Sequence, residues 1–313
     1  MPRLRVSRAV PVARDIHRIE LCHPDGAPLA PFTAGAHVEV TSPGGLARKY
    51  SLCNDPAQTR QYVIAVKRDV GGRGGSVDLV DHAHEGALLE VGLPRNAFEL
   101  EEKAASHLLL AGGIGVTPIL AMVWRLEAIG APYRLVYCTR GPEDTAFASE
   151  LASPARTGKV TIHHDGGDPA RMFDLWTLLE KPTRAHVYAC GPRPMLEAVR
   201  DMTGHWSPSA IHMESFLDAA SARKPEDHAF SVVLAQSQSR VEVPPGISIL
   251  EAMRAAGHDA PSSCESGTCG TCRTRLLEGK ADHRDLVLTD DERESHLMIC
   301  ISRALTPEIT IDR

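Results

Sequence analysis

Four cysteines crowd one C-terminal stretch of the sequence: Cys264, Cys269 and Cys272, and then Cys300 beyond residues 273–299. A Cys-x₄-Cys-x₂-Cys run followed by a distant fourth cysteine is the spacing of plant-type [2Fe–2S] ligation, in which four thiolates hold two irons. The residues between them suit that task. Gly267 and Gly270 permit a tight wrap, and Ser263, Ser266, Thr268 and Thr271 keep the loop small and polar. A structural zinc site would normally pair two knuckles, and only one Cys-x₂-Cys is present. The other cysteines, at 22, 53, 138 and 190, are scattered. Clustering of half the set, with no apolar leader at the N-terminus, points to metal rather than disulfides.

A one-electron centre needs an electron source. Arg48-Lys49-Tyr50-Ser51 follows a strand-like run and precedes the turn Asn54-Asp55-Pro56. Alternation along a strand puts Arg48 and Tyr50 on one side and Ser51 on the other. A guanidinium suits phosphate, a phenol can stack on a flat ring, and a hydroxyl can bond a ring nitrogen; the same residues also suit an ordinary strand. Downstream, Gly71-Gly72-Arg73-Gly74-Gly75-Ser76 runs into a helix-compatible stretch, Val77–His84. Glycines before a helix N-terminus expose N–H groups to a phosphate, although a bare glycine turn is also a common hairpin.

Two further loops follow buried strands. Leu108–Ala111 leads into Gly112-Gly113-Ile114-Gly115-Val116-Thr117-Pro118, and Val187–Ala189 leads into Cys190-Gly191-Pro192. Neither loop is a dinucleotide fingerprint, but both fall at carboxyl strand ends, where open α/β sheets place ligands. Hydride transfer needs orientation, not a nucleophile, so Cys190 reads as a positioning residue. Arg140 reads as a contact to ribose or phosphate or as an ordinary exposed arginine. His163, His164 and Asp165 resemble a metal cluster, but adjacent strand residues face opposite ways and no mononuclear site is assigned.

The elements that must position these groups fall into three parts. Short β-type runs (Val38–Val40, Tyr62–Val66) separated by Pro/Gly clusters predict an antiparallel β-barrel over 1–102. From His107, buried strands alternate with helical stretches such as Pro118–Ile129, predicting an open, mostly parallel α/β sheet over 103–226. A polar run between Phe216 and His228 reads as a linker, with a boundary near 226. Residues 227–313 then read as an α+β ferredoxin-like β-grasp domain with strands at Phe230–Leu234, Arg240–Val243, Arg273–Leu277 and Glu308–Ile311 and a helix near Ile249.

Composition narrows the function classes. Net charge is −6 without a basic run, which argues against nucleic acid as a partner. No stretch approaches the ~20 apolar residues of a membrane span. A cytoplasmic, non-membrane monomer is expected. Asp290-Asp291-Glu292 reads as a docking patch for a basic partner or as a solvated face.

Taken in order, Arg48–Ser51, Gly74–Ser76, Gly112–Pro118, Cys190–Pro192 and the terminal cysteine loop resemble the ferredoxin–NADP⁺ reductase superfamily fused to a ferredoxin. The likeness is greatest to its FMN-containing branch, which serves aromatic-ring dioxygenases such as phthalate dioxygenase. The resemblance implies an FMN in the barrel, met by Arg48, Lys49, Tyr50, Ser51, Ala65, Val66, Lys67, Gly74, Gly75, Ser76 and Thr117. It implies NADH at Gly112, Gly113, Gly115, Thr117, Cys190, Gly191 and Pro192, with Phe216 near the flavin unless it is a plain core residue. Ser51, Thr117 and Cys190 are thereby the residues nearest the hydride step. It further implies a [2Fe–2S] cluster on Cys264, Cys269, Cys272 and Cys300, and a Rieske-type terminal oxygenase as acceptor. The alternatives are an oxygenative demethylase as acceptor and, in another class, an iron–sulfur redox sensor.

Overall fold

The structure is a computed structural model that describes residues 1–72, 74–216 and 224–313. Arg73 and part of the polar run read as a linker lie outside the described residues. The chain divides into two compact units, Met1–Met213 and Glu214–Arg313.

The first unit opens with β1 (Arg3–Ala13), β2 (Ile16–Cys22), β3 (Ala36–Thr41), β4 (Ala47–Ser51), β5 (Tyr62–Lys67), α1 (Gly75–His82), β6 (Leu88–Val91) and β7 (Arg95–Asn96). Their sheet runs β4-β3-β6-β1-β2-β5, with antiparallel registers and β7 on β3. The ends of that order meet where Leu52 bridges Ile64 and the Cys53 N–H donates to the Val63 carbonyl at 2.9 Å, which closes the sheet into a barrel. Closure removes the edges that an open antiparallel sheet would expose. Alternating apolar residues, among them Leu4, Val6, Val38, Val40, Ile64 and Val66, fill its interior.

The second half of this unit contains β8 (Ser106–Gly112), α2 (Val116–Ala128), β9 (Tyr133–Thr139), α3 (Ala148–Leu151), β10 (Val160–His164), α4 (Trp176–Leu179), β11 (Ala185–Cys190), α5 (Arg193–Met202) and β12 (Ile211–Glu214). The sheet order is β10-β9-β8-β11-β12, and β10/β9, β9/β8 and β8/β11 pair in parallel. Chain order therefore reverses direction between β8 and β11, the switch point at which such sheets bind ligands. Barrel residues Ile16, Cys53, Val63 and Phe98 share one core with Leu109, Ile119, Met122, Tyr137 and Tyr188. Surface ties add to it: Arg14 pairs with Glu143, and Arg18 with Glu150 at 3.1 Å. The barrel and the parallel sheet thus pack as one unit although their sequence patterns differ sharply. The second unit begins at Glu214, twelve residues before the composition change near 226.

That second unit holds β13 (Phe230–Leu234), β14 (Ser239–Val243), α6 (Ile249–Ala255), β15 (Arg273–Glu278), β16 (Ala281–Asp282), α7 (Asp290–Arg293), β17 (His296–Met298), β18 (Arg303–Ala304) and β19 (Glu308–Ile311). Its main sheet runs β14-β13-β19-β15-β17, with β13 and β19 parallel and the β13/β14, β15/β19 and β15/β17 pairs antiparallel. Ser248 and Glu251 form a reciprocal capping box that starts α6, and Ile249, Leu250, Ala252 and Met253 bury its inner face. This is the expected mixed α+β arrangement. At its base Arg284 is buried between Asp227 and Asp282, and Lys224 reaches Asp282 at 2.9 Å. Among the described residues no helix is long and apolar enough to cross a membrane.

Candidate functional site

In the barrel, β4 behaves as its alternation predicts. Arg48 and Tyr50 are half-buried on one side, Lys49 is exposed, and Ser51 ends the strand buried. Burial pushes the Tyr50 phenol up to about 12, so its proton stays on the oxygen as a donor. Arg48 reaches the start of α1: a Cβ placed on Gly75 would sit 3.3 Å from Arg48 Nε. Gly74, at φ 82°, turns the chain into that helix, and no described side chain caps it. The first-turn N–H groups of α1 and the Arg48 guanidinium therefore share one locale, although 26 residues separate Arg48 from Gly74. A helix N-terminus beside a guanidinium is a phosphate cradle, and its donor chemistry fits a flavin mononucleotide.

The other proposed flavin contacts vary in what they offer. Ala65 and Val66 are buried, facing the shared core and the barrel interior respectively, so their backbone is what β5 can present; Lys67 is exposed. The Ser76 hydroxyl accepts the Asp69 N–H at 3.1 Å, which ties the glycine loop back to the end of β5. Thr117 is buried and its hydroxyl donates to the Ile114 carbonyl at 3.0 Å, leaving the oxygen lone pairs as acceptors. Phe216 is 47% exposed, so core packing does not account for it.

The two strand-end loops meet at the switch point. Ala111 and Cys190 are register partners on β8 and β11. A Cβ on Gly115 would fall 2.2 Å from the Cys190 carbonyl oxygen, and one on Gly112 would fall 2.5 Å from Pro192 Cδ. These glycines are therefore required by the close approach of two backbones. Cys190 itself is fully buried in the shared core, so the accessible surface here comes from Gly113, Gly191 and Pro192. Backbone positioning is what this loop pair can contribute to a flat ring.

His163 and His164 point apart, as expected: His163 Nε2 lies 2.7 Å from the Arg171 carbonyl and His164 Nδ1 lies 2.9 Å from Thr139 Oγ1. What sequence reasoning missed is Asp78, in the first turn of α1, whose carboxylate takes the Gly44 N–H of the β3–β4 turn at 2.6 Å. A contact spanning 34 positions leaves no local signal.

In the second unit the cysteines lie in an irregular loop between α6 and β15, and just beyond β17. The antiparallel register pairs Arg273 with Met298, which brings the distant Cys300 beside Cys272. Cys264 and Cys269 form a second hydrogen-bonded pair. Hydrogen bonding by Cys269 lowers the Cys264 thiol while raising Cys269, and Cys300 acts likewise on Cys272. The Ser266 N–H also points at Cys264 Sγ, 3.4 Å away. Among the described residues no three His, Cys, Asp or Glu side chains converge as a single-ion site would require. Cys264 with Cys269 and Cys272 with Cys300 stand as two thiol pairs, and four thiols are the donor set of a plant-type two-iron centre. At Gly267, φ 76°, a Cβ would lie 2.7 Å from Ile301 Cγ2, so the loop can fold this closely only with glycine there.

Residues 232–305 match the family model described as 2Fe-2S iron-sulfur cluster binding domain. The whole chain is 50% identical to phthalate dioxygenase reductase of Burkholderia cepacia, over 99% of this chain and 97% of that one. It is 37% identical to vanillate O-demethylase oxidoreductase of a Pseudomonas strain, over 96% of each. Among solved structures it superposes with a TM-score of 0.77 and 49% identity on a phthalate dioxygenase reductase, described as a modular structure for electron transfer from pyridine nucleotides to [2Fe–2S]; the match covers 100% of this chain and 98% of that one. With a barrel, a parallel sheet with its switch point and a terminal iron–sulfur domain in one chain, the protein belongs to the phthalate dioxygenase reductase family of oxidoreductase components of oxygenase systems.

Proposed function

We propose that this chain is the NADH-dependent reductase of a Rieske-type aromatic-ring dioxygenase, with phthalate dioxygenase as its partner. The carrying observation is the pairing of the two glycine loops at the β8/β11 switch point, on a chain half-identical throughout to such a reductase. When bound, FMN accepts a hydride from NADH and releases electrons singly to the [2Fe–2S] cluster, which converts a two-electron donor into one-electron traffic.

The chain's own residues have these roles. Arg48 and the N–H groups of Gly75 and Ser76 hold the flavin phosphate, with Gly74 supplying the turn. Tyr50 stacks on or bonds the flavin, Ser51 and Thr117 meet its polar edge, and Lys49 and the Ala65–Lys67 backbone line it. Gly112, Gly113, Gly115, Cys190, Gly191 and Pro192 orient the nicotinamide by backbone packing, so catalysis is proximity. Cys264, Cys269, Cys272 and Cys300 would hold the [2Fe–2S] cluster, which would supply one-electron transfer. Functionally the modules are 1–102, 103–226 and 227–313, in a cytoplasmic monomer.

The test is reconstitution with purified terminal oxygenases. NADH oxidation coupled to phthalate dihydroxylation supports the assignment; coupling only to a vanillate-type demethylase would move the partner, and no NADH oxidation with any oxygenase would overturn the reading.

A further inference from the structure

Two structural halves supply the phosphate cradle of the barrel: Arg48 rides on the β3–β4 hairpin, and the N–H groups belong to α1. Something must set their separation. The helix is tied to β5 by Arg68 on Asp81, at 2.9 and 3.0 Å, and by the Asp69 N–H on Ser76. Neither tie reaches the hairpin. Asp78 does. Its carboxylate accepts the Gly44 N–H at 2.6 Å and a hydrogen bond from the Ser42 hydroxyl. The His82 Nδ1 lies 3.0 Å from its other oxygen.

The hairpin turn is shaped for this contact. Ser42 and Leu46 close it through the Ser42 N–H at 3.0 Å, and Gly45, at φ 82°, turns the chain. A Cβ on Gly44 would sit 2.8 Å from Asp78 Oδ2, so the absence of a side chain there is what lets the carboxylate seat. An acidic residue in the first helical turn ordinarily serves the helix dipole. Here its two oxygens are engaged sideways, by the hairpin and by His82. The Gly44 N–H and the Ser42 hydroxyl, as donors, offset the carboxylate's charge beside an anion site.

We infer that Asp78 is a positioning residue for the flavin phosphate: its carboxylate latches the Ser42–Leu46 turn to α1 and so fixes Arg48 against the helix N-terminus. The inference rests on the proposed FMN site and adds a residue that does not touch the flavin. Because the latch serves the phosphate and not the ring, it must distinguish FMN from riboflavin.

The experiment titrates the flavin-stripped full-length protein with FMN or riboflavin and follows quenching of flavin fluorescence. Asp78→Ala is expected to weaken FMN by about tenfold, the order of one charge-assisted hydrogen bond, and to leave riboflavin within about twofold. Asp78→Asn, which keeps an acceptor oxygen for Gly44, should recover most of the loss. Gly44→Ala, in which the new methyl displaces the carboxylate, should imitate Asp78→Ala and gives an independent readout if that variant folds poorly. Wild-type FMN affinity in a folded Asp78→Ala protein, or equal losses for FMN and riboflavin, would overturn the inference. A wild-type protein that does not prefer FMN to riboflavin would instead contradict the flavin-site reading itself.

Discussion

The proposed cluster site takes three of its four cysteines from nine consecutive residues, 264–272, and the fourth from a neighbouring strand end; the proposed sites of the first unit are assembled from segments far apart in the chain. Arg48 meets Gly75, and Gly115 meets Cys190. The difference is one of how precision is achieved. A short loop fixes its thiols through local turns and N–H···S contacts, whereas the flavin and nicotinamide sites depend on a shared core that holds a barrel against a parallel sheet. Damage to the first kind of site should stay local. Damage to the second should spread through geometry.

The sharpest break is Cys272→Ser. It should abolish reduction of any one-electron acceptor that draws on the cluster while leaving flavin bleaching by NADH intact; stopped-flow absorbance separates the two. Loss of flavin bleaching as well would erase the contrast between a local and a distributed site.

Next in size, Asp227→Asn removes one of the two carboxylates on buried Arg284, Asp282 remaining, and should cost about 3 kcal/mol, the upper end for hydrogen bonds to a charged group. Denaturant unfolding of the iron–sulfur unit measures it. The Arg284 hydrogen bond holds the Asp227 carboxyl below its ordinary value. This stabilisation is therefore full above the unfolded value of about 4 and is lost as pH falls through the lower folded one. A wild-type unit whose unfolding free energy stays flat over that acid range would argue against the pair.

Gly115→Ala probes the distributed side. Its methyl would collide with the Cys190 carbonyl, so the two loops must part. Hydride transfer should fall by about a hundredfold, as expected for displacement near 1 Å, with FMN content and the cluster spectrum unchanged. Smaller still, Arg48→Ala should weaken FMN on the order of thirtyfold, within the range for a charged hydrogen bond, and leave riboflavin binding alone. An unaffected FMN affinity would remove Arg48 from the cradle.

Much of this was legible in the sequence because the responsible signals are local. The Cys-x₄-Cys-x₂-Cys spacing, the alternation of Arg48-Lys49-Tyr50-Ser51, the strand–glycine–proline run Leu108–Pro118 and the helix near Ile249 each carry their own evidence. What composition did not disclose was packing between elements. The core joining Phe98 to Tyr188 gives one unit where patterns differ, and the short strand β12, Ile211–Glu214, is too brief for periodicity to register. Asp78 carries no local mark of its contact with the β3–β4 turn, which lies 34 positions away. Cys190 reads from sequence as a positioning residue, and that its side chain is fully buried follows only from knowing which side of β11 meets α2 and the barrel.

The central claim is a sequential path from NADH through flavin to the cluster. An anaerobic titration of the purified full-length protein with NADH, recorded across the visible spectrum alongside FMN, iron and sulfide analysis, tests it most directly. The account predicts one FMN and two irons per chain, flavin bleaching by NADH, and loss of the [2Fe–2S] absorbance that fails to follow in Cys272→Ser. A cluster reduced by NADH in protein stripped of flavin, or a flavin that NADH does not bleach, would contradict it.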